Sequence, residues 1–319
     1  MNFHLQFQIS PFKEKINYRQ SLLFMGSCFA QNIGEEMECQ NFNALINPNG
    51  IVYNPASIAI ALRKYISDYR IKEDDLFYAN EVWNSWEHHS DFSRVSKMQT
   101  EEMINESYED AHELLKQAEW LFITFGSAWY YTLNETGQTV SNCHKVPQKD
   151  FTKHLLTTTE IVKDYTTLFK QLAKFNYNLK IVFTVSPVRY IRDGVVENNR
   201  SKAILLEAVH QLKELYKHVF YFPAYELVID DLRDYRFYED DLVHPNYMAM
   251  EYVFEKFMET IFDEETKIIY KQINQLNTDL AHEPIHEQTA GYKKFVSNSI
   301  AKAKQLQAQF PFLDLSNFL

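Results

Sequence analysis

The chain predicts an α/β fold, in which helices cover both faces of a parallel sheet. Five short apolar runs have the length of buried strands, and amphipathic helical segments separate them between residue 21 and about residue 262. Parallel strands need crossover connections, which are usually helices. The alternation therefore indicates a parallel sheet rather than an antiparallel one.

The first two strands and the helices after them are clear in the sequence. Residues 21–25 are an apolar run that predicts the first strand, and residues 29–39 have helical spacing. Residues 43–46 predict a short second strand. The turn signal Asn47-Pro48-Asn49-Gly50 follows it, and the next predicted helix covers residues 57–66.

Two stretches interrupt the alternation. Residues 68–96 are rich in aromatic residues and histidine but have no clear period, so we expect irregular structure there. Together with a helix predicted over residues 98–119, they form an insertion of about residues 68–119. Residues 129–150 are a second excursion, with a hairpin predicted around residues 134–137.

The remaining segments complete the predicted fold. Strands are predicted over residues 120–125, 179–185 and 219–222, and helices over residues 158–174, 199–217 and from His244-Pro245 to about residue 262. Beyond that point only helical patterns occur, at residues 266–280 and 291–309. We therefore predict an α/β domain over residues 1–262 and a helical extension over residues 263–319 that packs on it.

Composition argues against several classes of partner and cofactor. The 319 residues carry 32 Lys and Arg against 43 Asp and Glu, a net charge of −11, which argues against binding to nucleic acid or to an anionic membrane surface. No apolar run is long enough to insert into a membrane, and the first residues lack the pattern of a secretory signal. Three cysteines without CxxC or HxH spacing fit reduced thiols in the cytoplasm and predict no metal and no other cofactor.

Small residues follow the predicted strands directly. Ser27, Gly126 and Ser186 each come after a strand, and Gly50 follows the second strand after its turn. Right-handed crossovers bring the carboxyl ends of parallel strands to one edge of the sheet, and ligands bind at that edge. We therefore expect these positions to converge on one site.

A serine, an aspartate and a histidine in this pattern suggest nucleophilic catalysis. Ser27 lies between a strand and a helix, and its hydroxyl needs a base to take its proton. His244 is the candidate base. Asp241 can accept a hydrogen bond from the ring Nδ1–H of His244 and stabilise the imidazolium. Asp240 and Glu239 are rivals of Asp241, and His144 is a rival of His244.

The tetrahedral intermediate of such a reaction also needs donors for its oxyanion. The backbone N–H groups of Ser27 and of Gly50 or Gly126 are candidates, because glycine allows close approach. Asn142 is the candidate side-chain amide. Cys28 adjoins the serine and is either an alternative nucleophile at a helix N-terminus or a small buried residue under the helix.

Two further regions could contact a substrate. Residues 80–96 contain several aromatic residues, which suit a lid over sugar or acyl groups or else a small core under a long loop. His89 is the residue of this segment that we single out. Arg189 and Arg192 could bind an anionic substrate group or pair with the acidic residues Asp193 and Glu197 nearby.

At these residues the chain resembles the GSCFA family, which takes its name from the pentapeptide at residues 26–30. The resemblance covers most of residues 15–260 and includes residues 141–145, 184–189 and 241–245. The family looks like a branch of the SGNH (GDSL-like) hydrolases. That resemblance implies a three-layer α/β/α fold with a mainly parallel, flavodoxin-like five-stranded sheet, and ester chemistry without a metal.

The resemblance also implies roles for individual residues. Ser27 would be the nucleophile, His244 the base and Asp241 its orienting partner, and the glycine of the second conserved block would be Gly50. The third block departs from the pattern Gly-x-Asn-Asp, since residues 126–129 read Gly-Ser-Ala-Trp. Either Asn142 supplies the missing amide, or Ser127 replaces it, or the oxyanion hole has one donor fewer.

The sequence thus predicts a cytoplasmic, serine-dependent esterase or O-acyltransferase that acts through an acyl-enzyme. Its substrate would be an O-acyl ester of a small molecule, with carbohydrate esters among the candidates. The alternative is a non-catalytic SGNH-like binding module with an incomplete oxyanion hole. The absence of clustered metal-ligand spacing disfavours a metal-dependent phosphoesterase. The sequence leaves the oligomeric state open.

Overall fold

The computed structural model describes residues 7–318; the first six residues, on which the prediction of no secretory signal depends, lie outside the described part. In chain order the strands are β1 (Ser21–Gly26), β2 (Asn43–Ile46), β3 (Phe77–Ala79), β4 (Val82–Asn84), β5 (Trp120–Phe125), β6 (Trp129–Leu133), β7 (Thr139–Val140), β8 (Phe151–Leu155), β9 (Lys180–Val185) and β10 (Val219–Tyr221). The helices are α1 (Cys28–Cys39), α2 (Pro55–Ile66), α3 (Lys97–Gln117), α4 (Thr158–Phe175), α5 (Val195–Leu215), α6 (Ala224–Glu226), α7 (Tyr247–Ile261), α8 (Glu264–Leu280) and α9 (Ala290–Gln309).

A five-stranded sheet in the order β10-β9-β5-β1-β2 organises the chain. Every neighbouring pair in it is parallel. These are the five strands that the apolar runs predict, so the predicted α/β fold with a parallel, flavodoxin-like sheet is confirmed. The carboxyl ends of the strands lie at one edge, as the connections require.

The sheet separates two apolar cores, because alternate side chains of each strand point to opposite faces. Leu23 and Met25 of β1 lie in the core that α2, α3, α4 and α5 cover. Leu22 and Phe24 of the same strand lie in the core that α1, α7, α8 and α9 cover. The three-layer α/β/α arrangement is therefore confirmed.

The start of α7 differs from the prediction. We expected this helix to open at His244-Pro245, but it begins at Tyr247, and the side chain of Asn246 caps it by accepting from Ala249 N–H at 3.2 Å. An asparagine oxygen satisfies one of the free N–H groups of a first helical turn, which proline cannot do. His244 therefore lies in a loop ahead of the helix.

The two excursions are more regular than the sequence suggested. Residues 68–96 contain the antiparallel pair β3 and β4, whose turn residues Asn80 and Glu81 have φ values of 52° and 68°. The expectation of irregular structure there is wrong in part, because the turn lacks the glycine that normally marks it. The predicted hairpin of β6 and β7 is confirmed, and β8 adds an antiparallel strand that we did not predict.

Helices α8 and α9 contribute to the core that they share with α1 and α7. Ile269 and Ile273 of α8 and Leu306 of α9 are buried there. The side chain of Asn277 also donates to the Cys39 carbonyl at the end of α1, at 2.8 Å. Between residues 7 and 318, no helix has the length and apolar character that crossing a membrane would take.

Candidate active site

A cavity of about 380 Å³ opens at the carboxyl edge of the sheet. Ser27, Gly126 and Ser186, which follow β1, β5 and β9, contribute to its wall. The loop before α7 contributes His244. Three strand ends and the histidine loop therefore converge, whereas Gly50 does not line this cavity and its neighbour Ile51 does.

Gly26 makes the turn that presents Ser27. Its φ is +135°, and a Cβ there would lie 2.2 Å from the Thr124 carbonyl oxygen, so only glycine fits between the two strands. The Ser27 hydroxyl caps α1 by accepting from Phe29 N–H at 3.3 Å. Ser27 is 5% exposed and lies on the cavity wall. The hydroxyl is thus held at a helix N-terminus beside the cavity.

Asp241 and His244 form a pair in the loop before α7. The ring nitrogen Nδ1 of His244 lies 2.6 Å from Asp241 Oδ2, and Oδ1 accepts from the backbone N–H groups of Val243 and His244 at 2.8 and 3.0 Å. The pKa of Asp241 is lowered to about 2 by hydrogen bonds from the His244 N–H, from the His244 ring and from the Val243 N–H. The carboxylate therefore holds the proton on Nδ1 and leaves the Nε2 lone pair to accept another.

The rivals of Asp241 do not contact the ring. Among the described residues, neither Asp240 nor Glu239 has a side-chain hydrogen bond to His244; Glu239 contributes only its backbone N–H, which donates to the His244 carbonyl at 2.8 Å. Ser27 and His244 line the same cavity, but within residues 7–318 no hydrogen bond joins the hydroxyl to the ring. Catalytic hydrogen bonds are often long without substrate and tighten when it binds.

Three predicted backbone donors are already engaged. The N–H of Ser27 donates to the Thr124 carbonyl at 3.2 Å, that of Gly50 to the Asn47 carbonyl at 2.6 Å, and that of Gly126 to the Tyr53 carbonyl at 2.7 Å. Two other cavity residues are candidate donors, since in the described part of the chain no backbone carbonyl accepts from the N–H of Cys28 or Ile51; the Cys28 N–H interacts with its own thiol. Cys28 N–H belongs to the first turn of α1, where donors have no partner within the helix.

The two predicted side-chain donors lie in different places. Asn142 lines a second cavity, and its amide donates to Ser90 Oγ at 3.0 Å and accepts from His144 N–H at 2.9 Å. Ser127 lines the first cavity, but its hydroxyl accepts from Trp129 N–H at 3.1 Å and lies 3.3 Å from Ser201 Oγ. Both side chains stabilise loops in this arrangement.

His89 and His144 also belong to the second cavity. His89 packs on Gly50, where a Cβ would lie 2.3 Å from the His89 Cβ, and its Nδ1 lies 2.9 Å from Asp91. His144 is buried, and its Nε2 donates to the Ser85 carbonyl at 2.8 Å. Burial lowers the pKa of His144. The structure does not bring His144 to the cavity that holds Ser27.

Arg189 holds the loop of Asp241 and His244. Its guanidinium lies 4.3 Å from the centre of the Tyr238 ring and donates to the Leu242 carbonyl at 3.2 Å. Its backbone N–H donates to the Val243 carbonyl at 3.3 Å. The suggested partners of this arginine pair elsewhere, Asp193 with Lys153 and Glu197 with Arg200.

Lys202 on α5 binds two residues of the first cavity's wall, and it is not among the residues singled out from the sequence. It is 1% exposed, and its amine donates to the Gly126 and Ser186 carbonyls, each at 2.6 Å. Burial lowers its pKa to about 7. A lysine in a helix usually points to solvent. The buried face of α5, however, includes Asn198, Ser201, Lys202 and Leu205. Their helical spacing is the feature of the sequence that could have indicated the burial of Lys202.

Cys28 lines the first cavity beside Ser27. Burial raises the pKa of its thiol more than the nearby N–H groups and Lys202 lower it. A thiol with a raised pKa forms less of the reactive thiolate. The surroundings of Cys28 therefore do not activate its thiol as a nucleophile.

Comparisons with known proteins identify the family. The model of the GSCFA family matches residues 21–257, and the model of the C-terminal domain of GSCFA domain proteins matches residues 256–319. The comparison with curated proteins gives no match.

Among solved structures, the chain is similar to an acetyl xylan esterase (Est2A) from the rumen bacterium Butyrivibrio proteoclasticus. The two share 12% sequence identity with a TM-score of 0.36, and the match covers 82% of this chain and 65% of that chain. The chain thus spans less than two thirds of that enzyme. In residues 7–318, no group of three or more His, Cys, Asp or Glu side chains is arranged to hold a metal ion.

Proposed function

Since the chain belongs to the GSCFA family, we propose that it is a serine-dependent esterase or O-acyltransferase acting on an O-acyl ester. One observation supports this most: Ser27 and the Asp241–His244 pair line or adjoin one cavity at the carboxyl edge of the sheet. These are the groups that acyl transfer by a serine uses, and we infer that the His244 ring reaches the Ser27 hydroxyl when a substrate binds.

The reaction would proceed in two halves. His244 Nε2 takes the proton of the Ser27 hydroxyl, whose oxygen attacks the ester carbonyl, and Asp241 stabilises the imidazolium. The tetrahedral intermediate collapses as the imidazolium gives its proton to the departing alcohol, and an acyl-enzyme is left. Water or a second alcohol then attacks the acyl group with His244 again as base, and Ser27 is released.

The oxyanion would be stabilised by the N–H groups of Cys28 and Ile51. These donors replace the engaged N–H groups that the sequence analysis favoured, and the N-terminus of α1 adds a partial positive charge. Ala128 stands where the third-block pattern has asparagine, and it lines neither cavity. One donor fewer lowers the rate by about 10²–10³-fold relative to a complete hole, so we expect a slow enzyme.

Replacing Ser27 tests the proposal. We expect Ser27→Ala to lower the hydrolysis of p-nitrophenyl acetate by about 10³-fold or more, since attack needs the hydroxyl. Ser67→Ala is the matched control, because Ser67 is an exposed serine at the end of α2. Equal rates in wild type and Ser27→Ala would contradict the proposal.

A fluorophosphonate probe gives an independent test of the nucleophile. Such a probe labels an activated serine, so we expect mass spectrometry to find the label on Ser27 in the wild type and on no residue in Ser27→Ala. Label on Cys28 instead would show that the thiol is the nucleophile.

A non-catalytic binding module is the second candidate function. The missing asparagine and the engaged N–H groups of Ser27, Gly50 and Gly126 favour it. It predicts that wild type and Ser27→Ala bind a carbohydrate ester equally well and that neither hydrolyses it. Calorimetry together with a hydrolysis assay on the same ester distinguishes the two candidates.

A further inference from the structure

A second cavity of about 550 Å³ adjoins the first. The two share Ile51, Tyr53 and Tyr190 in their walls. The first cavity has Val188, Ile191 and Val243 in its wall, which suit a short acyl group. A ligand at Ser27 that is larger than its acyl group can therefore extend into the second cavity.

Polar groups line much of the second cavity. Gln148 contributes an amide, and Tyr53, Tyr131 and Tyr190 contribute phenol rings and hydroxyls; the amide of Asn142 also lies in this wall, bonded to Ser90 and His144. Amides and phenols bind the hydroxyl groups of a ligand, and aromatic rings pack against its apolar faces. This wall suits a hydroxylated alcohol better than a hydrocarbon chain.

The charge of the two cavities is opposite to that of the whole chain. The chain has a net charge of −11, yet the walls contain Arg189, Arg192 and Lys145 and no Asp or Glu. Such a concentration of one sign in a cleft attracts ligands of the opposite sign.

Two of these cations are available to a ligand. Arg189 is engaged with Tyr238 and the Leu242 carbonyl. Arg192 is exposed, donates to the neutral Gln148 side chain at 3.4 Å and has a further side-chain hydrogen bond with Tyr190. Lys145 is exposed and has no ion pair within residues 7–318. Asp193 pairs with Lys153 and also acts on Arg192 through its charge, and Asp91 lies 2.9 Å from His89 Nδ1.

We propose that the second cavity binds the alcohol part of the ester, and that this alcohol carries an anionic group held by Arg192 and Lys145. The group is a carboxylate or a phosphate, both of which a guanidinium and an ammonium bind well. The inference rests on the proposed function, because only an ester attacked by Ser27 has an alcohol part to place.

The test compares three acetyl esters: O-acetyl methyl glucoside, its 6-phosphate and O-acetyl methyl glucuronoside. We expect the wild type to prefer an anionic ester over the neutral one by about tenfold in kcat/KM, and to lose that preference in 0.5 M salt, which screens the cations. The phosphate and glucuronoside arms identify which anion the site accepts. Equal kcat/KM on all three esters would overturn the inference.

Variants assign the preference to the two cations. The double variant Arg192→Gln/Lys145→Gln should lose the preference through a raised KM for the anionic esters. Lys149→Gln is the matched control, since Lys149 is exposed in the same segment and lines neither cavity. A double variant that keeps the preference would overturn the assignment.

Direct binding separates failure of the inference from failure of the proposed function. If none of the esters is hydrolysed, the proposed function is wrong, and calorimetry on the full chain with methyl glucuronoside and glucose 6-phosphate then decides the anion site. Binding that the double variant loses supports the site, and no binding to the wild type overturns it.

Discussion

Lys202 places a buried amine between two loops of the candidate site. Its hydrogen bonds to the Gly126 and Ser186 carbonyls connect the ends of β5 and β9, which both contribute to the cavity wall. A buried cation costs free energy because it leaves water, and the lowered pKa of about 7 is the consequence. The stability of the protein therefore depends on pH through this residue.

The direction of that dependence follows from the two pKa values. Below pH 7 the amine is protonated in the folded and the unfolded chain, and the full cost of burying the charge is present. Between pH 7 and the ordinary value of 10.5 the folded chain loses the proton and the unfolded chain keeps it. The Lys202 contribution to the free energy of unfolding therefore rises with pH over this range.

Urea unfolding at pH 6 and pH 9 checks this prediction. We expect the free energy of unfolding of the wild type, relative to Lys202→Met, to be higher at pH 9 than at pH 6. Lys213→Met is the control, since Lys213 is an exposed lysine on the same helix, and its difference from wild type should not change. A Lys202→Met difference that is equal at both pH values would contradict the prediction.

At the scale of elements, the connection of β1 to α1 decides where Ser27, the proposed nucleophile, lies. Gly26 pairs closely with β5, its N–H donates to the Asn47 side chain at 2.8 Å, and Ser27 then caps α1. The loop before α7 fixes the position of His244 in a similar way. The Asp241 side chain accepts from the backbone N–H groups of Val243 and His244, and Leu242 has a left-handed φ of 60°. Short, well-bonded connections thus hold both halves of the site.

Glycine substitutions separate the causes that make Gly26 necessary. Gly26→Ala places a Cβ on a residue whose φ is positive, and that Cβ would lie 2.2 Å from a backbone oxygen. We therefore expect the free energy of unfolding to fall by more than about 3 kcal/mol, or the protein not to fold. Gly137 has a φ of +73° but free space around it, so Gly137→Ala should lower the free energy of unfolding by about 1–2 kcal/mol.

Gly291→Ala completes the comparison as a control. It lies in α9 with free space around it, so we expect it to be neutral or to stabilise by up to about 1 kcal/mol. Thermal and urea unfolding of the three variants gives the order. A Gly26→Ala protein as stable as Gly137→Ala would contradict the role of the close contact.

At the scale of the whole molecule, the C-terminal helices complete the second core. Ile269, Ile273 and Leu276 of α8 lie in the same apolar cluster as Met37 of α1 and Phe257 of α7. The boundary at residues 262 and 263 stays a prediction, but the shared cluster indicates one cooperative unit rather than two independent ones.

Truncation tests that view. A chain ending at residue 262 would expose the apolar side chains that α8 and α9 cover, so we expect it to aggregate or to lose more than about 10 °C in Tm. A chain that ends at Leu315 keeps the buried part of the cluster and is the control. A truncated chain with the Tm of the full chain would show that residues 1–262 fold independently.

The sequence by itself determined the elements, the family and the candidate triad. The apolar periodicity of β1, β5 and β9 and the helical spacing of α1 and α4 are local properties, so their positions could be predicted almost to the residue. The three-residue spacing of Asp241 and His244 is local in the same way. The hairpin of β3 and β4 was missed because its turn residues, Asn80 and Glu81, carry no glycine signal.

Only the tertiary structure decided which groups are available to a substrate. Gly126 donates to the Tyr53 carbonyl of another segment, while the N–H groups of Cys28 and Ile51 donate to no backbone carbonyl of the described residues. The sequence does not indicate this, because the choice of acceptor depends on which segments pack together. For the same reason, the sequence alone does not indicate that Lys202 is buried or that Asn142 lies in the second cavity. Hydrogen-bond partners and cavity walls come from residues far apart in the chain, and only folding brings them into contact.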